Sequence, residues 1–324
     1  MNATNSSGNE IEKIFELYRI PPDYLRHRSV YVSNREPGFI LKPLTIGTVR
    51  AFLTGSLLTE GEECPLIPKL LKSPAGGFYF WRRGNRYLFM EKLPGREADY
   101  FLTEDLKAAV MAMACFHRFS RKLLAAAANR WSLVRFSPGS EWLKRLREME
   151  VCRERAARLQ EESFSRQYLQ MWPQSYELAF RAIQSLPAAG REASDVICYH
   201  DWAFHNVLIN KDRAYLIDFD YMLVDHQVHD RANLISRYLR LHQWSVNSLL
   251  KILWIFDRFY PWKRGELKLL GIYLTFPFDF WMLGRQYYLE KQHWSRNYYQ
   301  DQWERKIGHY QELLRVLKII ENME

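Results

Sequence analysis

The feature that most constrains this chain is a set of three polar residues spread over a predicted β-hairpin. Asp201 is followed five residues later by Asn206, and Asp218 lies twelve residues beyond that. Two short apolar runs, at residues 207–209 and 214–217, flank a polar turn between Asn206 and Asp218, which predicts a hairpin. An antiparallel hairpin brings Asn206 and Asp218 to its open end, and Asp201 is expected to lie at the same end.

A short apolar run, Val196–Cys198, precedes this set and predicts a strand. A cluster of carboxylate and amide oxygens suits phosphoryl transfer, which depends on positioning and on neutralising the charge of the triphosphate. The spacing matches that of the protein-kinase catalytic loop. We therefore predict that Asp201 accepts the proton of the attacking hydroxyl, and that Asn206 and Asp218 hold Mg²⁺, which prefers oxygen ligands.

These residues resemble the catalytic core of the aminoglycoside phosphotransferase and choline kinase superfamily. The chain as a whole resembles, more narrowly, the CotS-type spore coat proteins of endospore-forming bacteria, over roughly residues 20–320. The segments that carry the narrower resemblance are the helical stretch 113–120, the acidic series Asp218, Asp220, Asp225 and Asp230, and the aromatic stretch 274–288.

The resemblance implies an α+β, protein-kinase-like two-lobe fold with a small β-rich N-lobe and a large helical C-lobe. We expect a disordered start over residues 1–12, the N-lobe over 13–94 and the C-lobe over 95–324. The Pro94-Gly95 pair marks the boundary between the lobes. The implied cofactors are ATP and magnesium, and the implied partners are a nucleotide and an unknown small-molecule or protein acceptor.

The nucleotide-binding residues are expected in the N-lobe. Val30–Ser33 and residues 38–43 have the composition of strands. In the kinase fold a lysine of the second strand pairs with the α- and β-phosphates, and the resemblance gives that role to Lys42. It also places Glu91 and Leu93 at the hinge, where backbone groups would receive the adenine.

The chain departs from the superfamily pattern in the catalytic loop and beside the nucleotide. Tyr199 occupies the position, two residues before Asp201, where the superfamily has a histidine that braces the loop. No glycine-rich GxGxxG sequence precedes Lys42. The predicted helix over residues 47–59 lacks the glutamate that would pair with Lys42.

Three glutamates, Glu60, Glu62 and Glu63, lie at or past the end of that helix. The departures favour a second hypothesis, in which the chain is a catalytically silent pseudokinase that acts as a scaffold in the spore coat. The retained Asp201, Asn206 and Asp218 favour an enzyme. Fold alone does not decide between the two.

Three further acidic residues follow the hairpin. Asp230 is expected to accept hydrogen bonds from the backbone of the catalytic loop, as its counterpart does in the superfamily. Asp220, two residues after Asp218, could touch a metal, but the favoured interpretation is a carboxylate behind the metal site or on the surface. Asp225 has no assigned role. The pair His200-Asp201 also permits an HD-type metal phosphohydrolase, but the preceding strand and the following hairpin argue against its all-helical domain.

Composition limits the remaining alternatives. An apolar content of 48% with 26% charged residues is typical of a globular protein, and no apolar run reaches the roughly 18 residues that span a bilayer. The polar start over residues 1–10 predicts no secretory signal, and the scattered cysteines are expected to be reduced thiols. The net charge of +9 is spread through the chain, which favours a basic, phosphate-facing cleft over nucleic-acid binding.

The coat-protein resemblance implies a location as well as a fold. We expect synthesis in the cytoplasm of the mother cell and deposition on the spore coat, with other coat proteins as partners. No membrane partner is expected. The resemblance does not name the phosphate acceptor, because acceptor pockets in this superfamily lie in variable helical segments.

Overall fold

The structure is a computed structural model, and it forms two compact units. The first unit comprises residues 1–134 and 203–222, and the second comprises residues 135–202 and 223–324. The residues that the structure describes are 4–21, 23–27, 30–33, 37–61, 64–82, 84–186, 195–290 and 294–323.

Helices and strands alternate in the first half of the chain, and helices dominate the second half. In chain order they are α1 (Thr4–Leu17), β1 (Tyr24–His27), β2 (Val30–Ser33), β3 (Phe39–Leu44), α2 (Thr48–Glu60), β4 (Phe80–Arg82), β5 (Asn85–Glu91), β6 (Arg96–Glu97), α3 (Thr103–Ala126), α4 (Ala128–Trp131), α5 (Pro138–Arg158), α6 (Ser163–Gln184), β7 (Asp195–Cys198), β8 (Val207–Asn210), β9 (Arg213–Leu216), β10 (Leu223–His226), α7 (Val228–Leu241), α8 (Val246–Phe259), α9 (Glu266–Thr275), α10 (Phe278–Gly284), α11 (Arg296–Ile307) and α12 (Tyr310–Glu321).

The first unit is built on an antiparallel sheet with strand order β1-β2-β3-β5-β4. The predicted strands at residues 30–33 and 38–43 are confirmed as β2 and β3. The register of β3 against β5 places Lys42 opposite Leu88 and Phe39 opposite Glu91. Lys42 therefore lies in an inner strand of the sheet, and its neighbours Ile40 and Leu41 pair with β2 on the other side.

The start of the chain differs from the prediction. Helix α1 begins at Thr4, so it covers most of the segment that was expected to be disordered. The buried side chains of Ile14 and Phe15 pack against Leu41 and Phe89 of the sheet. Burial of an apolar helix face provides the free energy that orders such a segment, which its polar composition alone does not reveal.

The first unit also contains α2, α3, α4 and a small sheet of order β6-β8-β9. In that sheet Arg96 of β6 pairs with Ile209 of β8. The compact units divide elsewhere than at residues 94 and 95, because α3 and the β8–β9 hairpin, which pack against each other, belong to the first unit.

The second unit is mainly helical and has an aromatic core. Phe164 and Tyr168 of α6 are buried, as are Phe280 and Trp281 of α10. The rings of Tyr168 and Phe280 stack with their centroids 4.3 Å apart. The dense aromatic sequence after residue 240 is therefore used for packing, as its helical spacing predicted.

A short two-stranded antiparallel sheet, β7 with β10, lies in the second unit. Strand β7 is fully buried and confirms the strand predicted at Val196–Cys198. It delivers the chain into the loop of residues 199–202, and β10 leads directly into α7. In the described part of the chain, no helix combines the length and the apolar character that a membrane crossing requires.

Candidate functional site

The hairpin of the first unit has the predicted form. Its register pairs Val207 with Leu216 at one end and Asn210 with Arg213 at the turn. At the open end the backbone N–H of Ile217 donates a hydrogen bond to the carbonyl of Asn206, at 3.1 Å. This bond extends the pairing by one step, so Asn206 and the residue that follows Ile217, Asp218, come to the same end of the hairpin.

Lys42 is held between two carboxylates at this end of the hairpin. Its Nζ lies 2.8 Å from an oxygen of Asp218 and 2.8 Å from an oxygen of Asp220. The side chain of Lys42 is 12% exposed and that of Asp220 10%, whereas that of Asp218 is 43% exposed. The carboxylate partners of Lys42 thus come from the segment after the hairpin, and Asp218 keeps an accessible face.

Helix α2 supports the same segment through two side chains. Thr54 donates a hydrogen bond to the carbonyl of Phe219 at 3.3 Å, and Arg50 donates one to the carbonyl of Met222 at 2.9 Å. Asp218 has a φ of +67°, a left-handed conformation that is uncommon outside glycine and that Asp tolerates. The backbone around Asp218 is therefore fixed by contacts from another part of the first unit.

The electrostatics of Asp220 follow from its burial. Desolvation raises the pKa of its carboxyl above the ordinary value, and the positive charge and hydrogen bond of Lys42 oppose that rise. Sequence reasoning placed Asp220 behind the metal site or on the surface. The structure gives it a definite contact, because it shares Lys42 with Asp218.

The glutamate that would pair with Lys42 is absent from the body of α2. Glu60 is the last residue of the helix, and its carboxylate accepts hydrogen bonds from Arg130 at 2.5 Å and Ser56 at 3.0 Å. Glu62 and Glu63 lie outside the described residues. Glu60 is therefore engaged at the far end of α2, and Asp218 and Asp220 supply the negative charge beside Lys42.

The two predicted hinge residues lie at and beyond the end of β5. Glu91 is the last residue of that strand, and its backbone N–H donates a hydrogen bond to the carbonyl of Lys69 at 2.9 Å. The N–H of Lys92 donates one to the carbonyl of Gly38, also at 2.9 Å. Leu93 is buried. Binding of adenine by Glu91 and Leu93 stays a prediction.

The loop of residues 199–202 in the second unit, which was predicted to be the catalytic loop, is anchored by a buried aspartate. The two carboxylate oxygens of Asp230 accept hydrogen bonds from the backbone N–H groups of Tyr199 and His200, each at 2.8 Å. This confirms the structural role predicted for Asp230. The ring of Tyr199 meets the ring of Trp202 edge to face, with the centroids 5.2 Å apart, so an aromatic contact stands where the superfamily has its histidine.

His200 is half-buried and belongs to a chain of polar contacts that sequence reasoning did not identify. Its Nδ1 lies 3.2 Å from Nε2 of His229, and Nδ1 of His229 lies 2.8 Å from Oδ2 of Asp225. Tyr273 also donates to that Asp225 oxygen, at 2.5 Å. Asp225, which had no assigned role, therefore orients His229, and His229 orients His200.

Burial determines the charge state of His200. Desolvation, followed by the proximity of His229, lowers the pKa of His200 from 6.5 to about 3. The imidazole is therefore neutral at pH 7. His200 also adopts a φ of +75°, which turns the backbone sharply just before Asp201. His200 lies between strand β7 and the β8–β9 hairpin. This position and these contacts do not fit an HD-type metal site, whose ligands lie on helices.

Asp201 itself pairs with an arginine. Nη2 of Arg237 lies 2.5 Å from Oδ1 of Asp201, and Nε of the same guanidinium donates to Asn233 at 2.9 Å. Asn233 accepts a further hydrogen bond from the backbone N–H of Trp202 at 3.2 Å. Sequence reasoning missed Asn233 and Arg237. Asn233 lies three residues after Asp230, and Arg237 lies four residues after Asn233. This spacing places all three side chains on one face of α7 and could have indicated them from the sequence.

Comparisons with known proteins identify a family and a relative. The model of the phosphotransferase enzyme family matches residues 56–262 of the chain. Spore coat protein S of Bacillus subtilis is 22% identical over 224 residues, which amount to 66% of this chain and 63% of that protein. The aligned part thus spans less than two thirds of the relative's length.

The fold is similar to those of several solved structures. An aminoglycoside phosphotransferase from Alicyclobacillus acidocaldarius has a TM-score of 0.76 at 16% identity, with 93% of this chain and 91% of that chain covered. A spectinomycin phosphotransferase, solved with ADP and spectinomycin, has a TM-score of 0.65 at 13% identity, with 97% and 98% covered. A choline kinase from Streptococcus pneumoniae has a TM-score of 0.55 at 14% identity, with 97% and 99% covered. The predicted α+β, protein-kinase-like two-lobe fold is confirmed.

Proposed function

Because the chain belongs to the phosphotransferase enzyme family, we propose that it transfers the γ-phosphoryl group of ATP, with magnesium, to a hydroxyl group of an acceptor. The observation that carries this proposal is the placement of Lys42 between Asp218 and Asp220 at the open end of the hairpin. A lysine on an inner strand, aimed at the acidic segment that follows Asn206, is the arrangement that triphosphate binding requires.

The donor atoms near the hairpin suit magnesium. Mg²⁺ takes oxygen ligands, and Asn206 and Asp218 offer an amide oxygen and a carboxylate from two neighbouring positions of one hairpin. When bound, magnesium would neutralise charge on the β- and γ-phosphates. Asn206 and Asp218 would hold it, Lys42 would bind phosphate oxygens, and backbone groups near Glu91 and Leu93 would receive the adenine.

Asp201 is the general base in this proposal. Asp230 and Asn233 fix the backbone on both sides of it, so its carboxylate is held in place before the acceptor binds. The hydroxyl oxygen of the acceptor attacks the γ-phosphorus, and the bond from that phosphorus to the β–γ bridging oxygen breaks with its electron pair going to ADP. The hydroxyl proton passes to Asp201.

The coat-protein relative supports the second part of the proposal, which concerns location. We infer that the chain is made in the cytoplasm of the mother cell and is deposited on the spore, beside other coat proteins. A fluorescent fusion that gathers at the forespore during sporulation would support this inference. A fusion that stays diffuse throughout sporulation would contradict it.

The enzymatic proposal is tested by comparing two aspartate variants. Asp218→Asn removes the charge of a metal ligand and should abolish the thermal stabilisation that Mg-ATP gives to the wild type. Asp201→Asn should keep that stabilisation and lose ATP turnover, because a base acts in the transition state and adds little to ground-state binding. Asp212→Asn is the matched control, since Asp212 lies exposed at the opposite, turn end of the same hairpin.

One observation favours the alternative function, a pseudokinase that serves as a scaffold. Helix α2 supplies no glutamate to Lys42, and Glu60 is bound to Arg130 instead. A scaffold would localise to the coat with either aspartate variant and would transfer no phosphate. If the wild type shows neither stabilisation by Mg-ATP nor turnover, the enzymatic proposal fails and the scaffold remains.

A further inference from the structure

In the second unit, positively charged side chains outnumber the carboxylates around Asp201, the proposed base. The guanidinium of Arg237 contacts Oδ1 of Asp201 at 2.5 Å, and both side chains are partly accessible, at 33% and 31%. Asn233 holds the Nε of Arg237, so the orientation of the guanidinium is set by two contacts. A guanidinium has five N–H donors, and these two contacts use only part of its binding capacity.

A second cation follows on the same face of α7. Arg240 is three residues after Arg237, and its Nε lies 3.0 Å from a carboxylate oxygen of Asp279 on α10. Both side chains of this pair are more buried than those of the first pair, at 23% and 17% exposure. One turn of α7 thus presents two guanidinium groups, each paired with one carboxylate.

A third cation, Lys306 of α11, lies within electrostatic range of both arginines. Burial lowers the pKa of Lys306; Asp279 opposes that shift, and the nearby charges of Arg240 and Arg237 add to it. Lys306 forms no ion pair within 4 Å among the residues that the structure describes. Three cations therefore share two carboxylates, Asp201 and Asp279, and one of those carboxylates is the proposed base.

Other charges nearby do not remove this excess. Arg145 also bears on the pKa of His200, but Glu141 and Glu148 lie close to it on α5 and oppose the loss of its charge. Arg285 pairs with Glu290 at 3.0 Å. Arg237, Arg240 and Lys306, together with the paired Asp201 and Asp279, thus carry a net charge of one positive unit.

We infer that the phosphate acceptor is a small hydroxy compound that also carries an anionic group, a carboxylate or a phosphate, and that Arg237 and Lys306 bind this group. A cationic acceptor would meet like charge beside Asp201. A neutral polyol would leave the excess charge uncompensated. An acidic acceptor matches both the charge and the fork geometry of a guanidinium.

This inference rests on the proposed phosphotransferase function and adds a role for the Asp201–Arg237 pair. When the anionic group of the acceptor binds Arg237, the guanidinium shifts its contacts away from Asp201. The carboxylate then accepts the proton of the acceptor hydroxyl as that oxygen attacks the γ-phosphorus. Arg237 would thus link acceptor binding to the readiness of the base.

The test compares matched acceptors on the full-length chain with Mg-ATP. Glycerate is measured against glycerol, and glucuronate against glucose and glucosamine. For each pair, turnover with the acid should have a kcat/KM at least tenfold higher than with the neutral compound, and the amine should be the poorest acceptor. Phosphoglycerate, compared with glycerate, distinguishes a phosphate from a carboxylate as the preferred group.

Variants assign the effect to the named cations. Arg237→Ala and Lys306→Gln should each raise the KM for the acid and reduce its advantage over the neutral compound, whereas Arg237→Lys should recover part of that advantage. Lys318→Gln removes the same charge from an exposed position of α12 and should leave the preference unchanged. Equal kcat/KM values for acids and neutral compounds would overturn the inference.

A binding measurement separates this inference from the proposed function. Thermal stabilisation by glycerate and glucuronate, without nucleotide, should exceed that by glycerol and glucose and should be lost in the Arg237→Ala, Lys306→Gln double variant. If that pattern holds while Mg-ATP gives neither stabilisation nor turnover, the anion site stands and the phosphotransferase proposal fails. If Mg-ATP binds and a neutral acceptor is phosphorylated best, the anion site fails and the phosphotransferase stands. Equal stabilisation by acids and neutral compounds, or stabilisation that survives in the double variant, counts against the anion site in either case.

Discussion

The two charged clusters of this protein are built in opposite ways. In the first unit one lysine, Lys42, lies between two aspartates. In the second unit Asp201 and Asp279 lie among three cations. Under the proposed function, the difference corresponds to the two substrates of a phosphoryl transfer, because an acidic site would attract a metal with its nucleotide and a basic site would attract an anionic acceptor. The two clusters thus differ in the sign of the charge that predominates in each.

The largest expected effect comes from substituting the central residue of each cluster, Asp201 and Lys42. Asp201→Asn should lower kcat by about 10²–10⁴-fold, the usual contribution of a general base, with little change in the KM for ATP. Lys42→Met should instead raise the KM for ATP. Steady-state kinetics with ATP as the varied substrate give both values. Similar changes in kcat and KM for the two variants would mean that the clusters do not act on different substrates.

The anchoring of the catalytic loop predicts a loss of stability. Asp230→Ala leaves the backbone N–H groups of Tyr199 and His200 without their acceptor, and each buried donor that loses its partner costs about 1–3 kcal/mol. For the two donors together, we expect the free energy of unfolding in urea to fall by about 2–6 kcal/mol. Asp212→Ala, an exposed change at the hairpin turn, should have no comparable effect. A fall below about 0.5 kcal/mol in Asp230→Ala, the range of ordinary surface substitutions, would show that the loop is held by other contacts.

The lowered pKa of His200 makes the stability of the second unit depend on pH. The folded-state pKa of about 3 lies below the ordinary value of 6.5, so only the unfolded chain takes up this proton between those values. The stability that His200 contributes is therefore full above pH 6.5 and is lost as the pH falls toward about 3.

A substitution isolates this contribution. His200→Asn keeps a residue that tolerates positive φ and removes the titrating group, so its stability should fall less steeply with pH than that of the wild type. Urea unfolding at intervals from pH 7 to pH 4 measures both slopes. His27→Asn, an exposed change in β1, should keep the wild-type slope. Identical slopes for wild type and His200→Asn would contradict the assignment.

The smallest expected effect concerns the reactivity of the cysteine thiols, which should differ between the two units. In the first unit a hydrogen bond with Cys64 lowers the pKa of Cys115 to about 6, with help from Arg118. In the second unit burial raises the pKa of Cys152 to about 12 and that of Cys198 well above its usual value. Iodoacetamide should therefore modify Cys115 first, and at pH 7 several-fold faster than an ordinary thiol.

Mass spectrometry after brief alkylation identifies the modified residue. The rate at Cys115 should rise with pH through about 6 and then level off. Cys115→Ser should remove the fast phase. Fast labelling at Cys152 or Cys198 would contradict the burial that protects them.

Much of the fold follows from local sequence patterns. The β8–β9 hairpin, the buried strand β7 and strands β2 and β3 all lie where short apolar runs and polar turns predicted them. Such signals are local, because the side-chain period and the turn chemistry belong to neighbouring residues. For the same reason Asn206 and Asp218 could be brought together from sequence alone.

The missed features depend on contacts between distant parts of the chain. Lys42 meets Asp218 across a separation of 176 residues, and Asp201 meets Arg237 across a separation of 36. The family pattern places the acidic partner of Lys42 in α2, as a glutamate. It therefore does not indicate that Asp218 and Asp220, from another segment, lie beside Lys42 instead. A short helix was predicted over residues 14–18, but its extension back to Thr4 was not, since packing on the sheet is decided by tertiary structure.

The discontinuous first unit has a consequence for how the chain is made. Strand β6 pairs with β8, and α3 packs against β9, yet residues 135–202 are synthesised between them. The N-terminal sheet therefore leaves the ribosome well before the hairpin that completes its unit, and Lys42 precedes both of its aspartates by a long interval. Domains generally fold as units during synthesis. In this chain the first unit to emerge must wait for a segment that follows much of the other unit, so its folding cannot finish before residue 222 has been made.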